Sequence, residues 1–108
     1  MKDNIIQQKS YDFALKIIAL YRDLVKGNEY VFSKQLLRSG TSIGANVEGA
    51  QAAQSRADFI SKMSIASKEA RETSYWLRLL RDSNTITKSD IEPLLAEAWS
   101  GSTMDVER

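Results

Sequence analysis

The sequence predicts an all-α fold, an up-down-up-down antiparallel four-helix bundle with three long helices and a short fourth. Apolar residues recur at alternating spacings of four and three over most of the 108 residues, a pattern typical of helices that bury one face. Pro93 is the only proline, so long helices can run uninterrupted. Turn-forming residues separate the periodic segments at 27–28, near Ser55 and at 82–84.

Helix 1 is expected from about Ile5 to Val25. Its apolar stripe is formed by Phe13, Ile17, Leu20 and Leu24. Gly27 is the expected C-cap residue, followed by an asparagine that tolerates left-handed backbone geometry.

Helix 2 is expected to begin between residues 28 and 33 and to end near residue 53. Its centre carries Gly40 and Gly44, each of which costs about 1 kcal/mol of helix propensity relative to alanine. That cost indicates a close approach of a neighbouring helix, and Ala66 and Ala70 of helix 3 are the expected partners. A phosphate-binding loop is the alternative, but it requires a preceding strand and a Gly-Lys-Ser/Thr ending. The sequence contains neither.

Helix 3 is expected to start at an N-cap on Ser55 and to end at Asp82. Its apolar positions keep the four-three spacing through Phe59, Met63, Ala66, Ala70, Thr73, Leu77 and Leu80. Helix 4 is expected to start near Thr87 or Ser89, with Pro93 in its first turn. The whole chain, 1–108, is interpreted as one domain with a frayed tail at about 100–108.

The composition argues against an enzyme. Histidine and cysteine are both absent, which removes the commonest general base, the commonest soft nucleophile and the usual zinc ligands. Glu69 and Glu72 are three residues apart on helix 3, but a di-metal bundle site would need Glu-x-x-His pairs. We expect those glutamates to pair with Arg or Lys of a neighbouring helix. No catalytic residue, cofactor, metal or small-molecule substrate is predicted.

The formal net charge of +1 conceals an asymmetry along the chain. Residues 1–82 carry 13 Lys and Arg against 9 Asp and Glu, whereas residues 83–108 carry 2 against 5. The body is therefore mildly basic, short of the strong excess typical of dedicated nucleic-acid-binding domains. There is no run of 18 apolar residues and no signal-peptide pattern at the N-terminus, so a cytoplasmic protein without a membrane segment is expected.

A basic stripe on helix 3 is the candidate binding feature. Cations and one tyrosine recur there at spacings of three and four, and two more cations lie four apart on helix 2. The candidate nucleic-acid contacts are Lys34, Arg38, Lys68, Arg71, Tyr75, Arg78 and Arg81. Such residues can bind phosphates and stack on a base. An ordinary solvated helix face is the alternative.

Two segments carry a family resemblance. The motif at residues 35–49, together with the later motif at residues 72–77, resembles a family of bacterial four-helix-bundle proteins. That family includes proteins encoded in intervening sequences of 23S ribosomal RNA genes and accessory proteins of diversity-generating retroelements. The matching positions singled out are Gln35, Arg38, Ser42, Ile43, Asn46, Glu48, Gly49 and Glu72. Lys68 and Glu69 stand where many members have Gly-Ser, and the C-terminal region is short.

The resemblance implies a ring-shaped homopentamer, associated in some members with nucleic acid or with a nucleic-acid enzyme such as a reverse transcriptase. Independently, the wide stripe of helix 1 and aromatics on several helices predict oligomerisation; the aromatics are Tyr21, Tyr75, Trp76 and Trp99. Asn46 and Glu48 are interpreted as polar groups that fix register rather than as a binding site. The alternative function is a structural protein–protein scaffold that binds no nucleic acid.

Overall fold

The computed structural model describes the backbone of residues 2–102 and the side chains of residues 5–87 and 89–98. Four helices follow one another: α1 (Lys2–Lys26), α2 (Val31–Gln51), α3 (Arg56–Asp82) and α4 (Lys88–Ser102). Short loops join them into an antiparallel bundle 44 Å long and about 20 Å across. The all-α prediction, with three long helices and a short fourth, is confirmed.

The core is built from most of the apolar positions in the four-three spacing, although Leu20 and Phe59 are only half-buried and pack against it. Ile17, Leu36, Leu77 and Leu80 are fully excluded from solvent, and so is Val47 of the glycine-rich helix. Consecutive helices pack against each other along their lengths, whereas α1 and α4 meet at few positions. Within residues 2–102, the helices are too short or too polar to cross a membrane.

The helix ends show which capping predictions hold. Ser55 caps α3, because its hydroxyl accepts a hydrogen bond from the amide of Asp58 at 3.0 Å. At the end of α1, however, Asn28 rather than Gly27 adopts the left-handed conformation, with φ of 65°. The amide of Glu29 then donates to the carbonyl of Leu24 at 2.8 Å and closes the helix.

Helix α4 begins directly after Thr87, one of the two predicted start positions, but Pro93 lies farther into the helix than predicted. The amides of Asp90 and Ile91 both donate to the carbonyl of Thr87, so the first turn forms there and Pro93 lies in the second turn. The prediction that Pro93 occupies the first turn is therefore wrong. Of the tail that we expected to fray, residues 100–102 belong to α4, and residues 103–108 lie outside the described part of the chain.

The two central glycines of α2 face α1 rather than α3. A Cβ built on Gly40 would lie 2.8 Å from both γ carbons of Ile17, and one on Gly44 would lie 3.4 Å from the carbonyl oxygen of Ser10. The close helix approach is confirmed, but the expected partners, Ala66 and Ala70, were wrong. Those alanines are fully buried in the core instead.

Candidate nucleic-acid interface

A basic stripe on α3, formed by Lys68, Arg71, Tyr75 and Arg78, lies on the outer surface of the bundle. All four side chains are exposed, because the opposite face of the helix carries the buried residues Ala70, Thr73 and Leu77. Neither Lys68 nor Arg71 has a carboxylate partner among the described side chains. Two cations are therefore available to an anionic ligand.

Tyr75 occupies the middle of the stripe and is 48% exposed as a residue. The guanidinium carbon of Arg78 lies 5.9 Å from the centre of that ring, a cation–π distance. Behind it, Trp76 packs edge-on against Tyr75 with the ring centres 5.2 Å apart. Phe32 of α2 follows at 6.0 Å from Trp76. The tyrosine thus presents one supported, solvent-accessible aromatic surface.

Phe32 was not singled out from the sequence. It is the second residue of α2, and the start of that helix could not be fixed from the sequence. Of the other aromatics expected to signal assembly, Tyr21 is half-buried, and the side chain of Trp99 lies outside the described residues.

Of the two cations predicted on α2, Arg38 forms an ion pair with a carboxylate, and Lys34 does not within the described part of the chain. Arg38 Nη2 lies 2.6 Å from Glu72 Oε2, which links α2 to α3, and the same oxygen accepts from Trp76 Nε1 at 3.2 Å. Lys34, one turn before Arg38, is exposed and has no carboxylate partner among the described side chains.

Arg81 turns away from the stripe toward α4. Its guanidinium lies 2.7 Å from Asp82 and 3.4 Å from Glu92. The hydrogen bond to Asp82, with the charges of both carboxylates, raises the pKa of Arg81 above its ordinary value. The structure therefore brings four of the seven predicted contacts, Lys68, Arg71, Tyr75 and Arg78, onto one face.

The motif residues of α2 are largely engaged within the protein. Asn46 Nδ2 donates to the carbonyl and the hydroxyl of Ser42, one turn earlier, at 2.9 and 3.1 Å. Glu48 accepts from Gln7 Nε2 of α1 at 2.7 Å. Ile43 is buried in the core, and Gln35 is half-buried. These polar contacts are intramolecular, within α2 or between α2 and α1.

The remaining motif positions lie where α2 meets α3. A Cβ on Gly49 would lie 3.2 Å from Lys62 Cε, so the lysine stem crosses the helix there. Glu72 has the interhelical arginine partner that we expected for it, whereas Glu69 has no ion-pair partner among the described side chains. The Oε1 atom of Glu69 is buried and has no hydrogen-bond partner among the described residues.

Comparisons with known proteins agree with this fold. The family model described as "23S rRNA-intervening sequence protein" matches residues 2–104. A crystal structure of a protein of unknown function from the S23 ribosomal protein family of Bacteroides thetaiotaomicron VPI-5482 is 51% identical, with a TM-score of 0.92. The match covers 95% of this chain and 93% of that one. Among curated proteins there is no match. The chain belongs to the 23S rRNA-intervening sequence protein family.

Proposed function

We propose that the protein is a non-enzymatic, homo-oligomeric helical-bundle adaptor that binds nucleic acid through the basic stripe of α3. The observation that carries the proposal is that Lys68 and Arg71, which have no carboxylate partner among the described side chains, share a helix face with the exposed aromatic ring of Tyr75. Cations bind phosphates, and an exposed aromatic ring stacks on a base of any identity. Binding should therefore be largely independent of sequence.

One copy of the stripe offers few phosphate contacts. Assembly would repeat it, so that contacts that are weak singly add through effective concentration. Assembly itself is supported by large apolar side chains left exposed on one protomer, including Tyr11 and Leu15 of α1 and Val31 of α2. The stoichiometry of five is an expectation from the family resemblance.

The test is a titration of fluorescently labelled single- and double-stranded oligonucleotides against the assembled protein at about 50 and 200 mM salt. Affinity should fall steeply at the higher salt, because each neutralised phosphate releases counterions. The double variant Arg71→Glu/Arg78→Glu should bind more weakly to all sequences alike. Absence of binding at the lower salt, with the oligomer intact, would overturn the proposal.

A structural protein–protein scaffold is the second candidate. The net charge of +1 and the engagement of Arg38 and Arg81 in ion pairs favour it, because both reduce the charge available to phosphates. A nucleic-acid enzyme such as a reverse transcriptase would be a partner compatible with either candidate. Binding to the oligonucleotides, if it weakens with salt, distinguishes the adaptor from the scaffold.

A further inference from the structure

We infer that the groove between α1 and α4 is a docking site for a basic amphipathic helix of a protein partner. The groove exists because α4 packs along α3 and meets α1 at few positions. Its volume is about 710 Å³, it opens to solvent, and the ion pair between Lys16 and Glu97 joins the two helices across it. It lies on other helices than the α3 stripe, so the inference goes beyond the proposed function and stands apart from it.

The floor of the groove is apolar. Leu24 of α1 and Leu94 of α4 close its base and are nearly buried. Leu20 and Ile86 are half-buried and leave part of their surface in the groove. Ala19 stands exposed at the edge, where its small side chain leaves room. An occupant with one apolar face would remove this surface from water.

The rim of the groove is acidic. It carries the carboxylates of Asp23, Glu29, Asp90 and Glu97 against one ammonium group, that of Lys16, among the described side chains. Lys16 lies 3.0 Å from Glu97, and the other three carboxylates have no ion-pair partner among the described side chains. Glu29 accepts a hydrogen bond from the Ser33 amide and Asp90 accepts one from the Thr87 hydroxyl, but both keep their negative charge facing the groove. The rim therefore complements a cationic partner and repels nucleic acid.

The shape of the groove favours a helix as the occupant. At a rise of about 1.5 Å per residue, the α1 side of the lining, from Lys16 to Leu24, extends roughly 12 Å, or about two helical turns. An open trough of this length does not surround a small molecule in the way that ligand pockets do. A helix can bury its apolar face against the floor of the groove and pair its lysines or arginines with the carboxylates of the rim.

The probe is a fluorescein-labelled 15-residue peptide with leucines on one helical face and lysines beside them. A control peptide has glutamate at every lysine position. Fluorescence anisotropy should show binding of the lysine peptide to the intact wild-type protein. The glutamate peptide should bind at least about tenfold more weakly, since the rim would repel its charges.

The matched variants are Asp23→Lys at the rim and Asp12→Lys outside the groove. Both are exposed positions on α1, and both substitutions change the net charge equally. Asp23→Lys should lower the affinity for the lysine peptide about tenfold, whereas Asp12→Lys should change it less than about twofold. Asp23→Asn removes the negative charge without adding a bulky cation, so it should lower the affinity for the lysine peptide less than Asp23→Lys does.

The inference is overturned if neither peptide binds or if both peptides bind with the same affinity. It is likewise overturned if Asp23→Lys and Asp12→Lys change the affinity for the lysine peptide equally. It is also overturned if Asp23→Lys lowers the mass of the oligomer in light scattering. A second copy of the chain would then occupy the groove. Oligonucleotide binding through α3 is measured separately, so failure of one proposal does not imply failure of the other.

Discussion

The side-chain oxygens of Ser39 and Thr73 lie 2.9 Å apart at the centre of the α2–α3 interface, where both residues are fully excluded from solvent. The Thr73 hydroxyl also lies 2.8 Å from the carbonyl oxygen of Glu69. The Ser39 hydroxyl has only a long contact of its own, 3.4 Å to the carbonyl oxygen of Leu36, so Thr73 is its closer hydrogen-bond partner. The pair fixes the register of α2 against α3 at the position where the Arg38–Glu72 ion pair also joins them.

Breaking this pair from one side should destabilise the bundle. Thr73→Val keeps the side-chain shape but leaves the Ser39 hydroxyl without its interhelical partner. We expect the free energy of unfolding to fall by about 1–3 kcal/mol. Chemical denaturation of Thr73→Val, Ser39→Ala and the double variant measures the coupling. The free energy of unfolding should fall less in the double variant than the two single decreases added together. Strict additivity of the two decreases would show that the hydroxyls are not coupled.

The contact between Gly40 and Ile17 makes a second prediction. Gly40→Ala would place a Cβ 2.8 Å from both γ carbons of a fully buried, branched side chain. We expect a loss of about 1–3 kcal/mol from overpacking, even though alanine is the better helix former. Urea denaturation midpoints at an unchanged m-value provide the measurement.

Gly49→Ala is the matched control for Gly40→Ala. Its Cβ would meet only the far end of the Lys62 side chain, which can move aside. This variant should gain up to about 1 kcal/mol of helix propensity. If Gly40→Ala raised the denaturation midpoint as much as Gly49→Ala, the close crossing of α1 and α2 would be disproved.

Much of the fold follows from the sequence because helical periodicity reports burial directly. The apolar spacing identified most of the core positions, and the capping side chain of Ser55 marked the start of α3. The spacing does not say which neighbour a face contacts, so the partner of Gly40 was assigned to α3 instead of α1. The sequence indicated both Thr87 and Ser89 as possible starts of α4. The later start would be needed to place Pro93 in the first turn, whereas the hydrogen bonds to Thr87 place it in the second.

The candidate site was less predictable than the fold. Spacing on one helix placed Lys68, Arg71, Tyr75 and Arg78 together, because residues three and four apart share a face. It could not show that Arg38 and Arg81 meet carboxylates, since those contacts join different helices or depend on a rotamer. The acidic groove was also missed, because its two walls come from opposite ends of the sequence.

Assembly makes a third prediction. Tyr11 and Leu15 are more than half exposed on one protomer, yet their apolar surface is more typical of an interface than of a solvated helix. Light scattering should give five times the protomer mass, and Tyr11→Ser/Leu15→Ser should lower that mass while circular dichroism stays helical. A stable wild-type monomer would contradict assembly, whereas another stoichiometry would contradict the number five.

The salt dependence of nucleic-acid binding tests the central claim most directly. The measurement is the slope of log affinity against log salt concentration for the wild type and for Lys68→Ala/Arg71→Ala. Lys9→Ala/Lys26→Ala is the control, since it removes the same charge from exposed positions on α1. Each phosphate contact contributes about 0.9 to the slope for a duplex and about 0.7 for a single strand. The α3 variant should have a shallower slope than the wild type, and the α1 control should match the wild type. Equal slopes for the wild type and the α3 variant, or no binding at about 50 mM salt, would contradict the account.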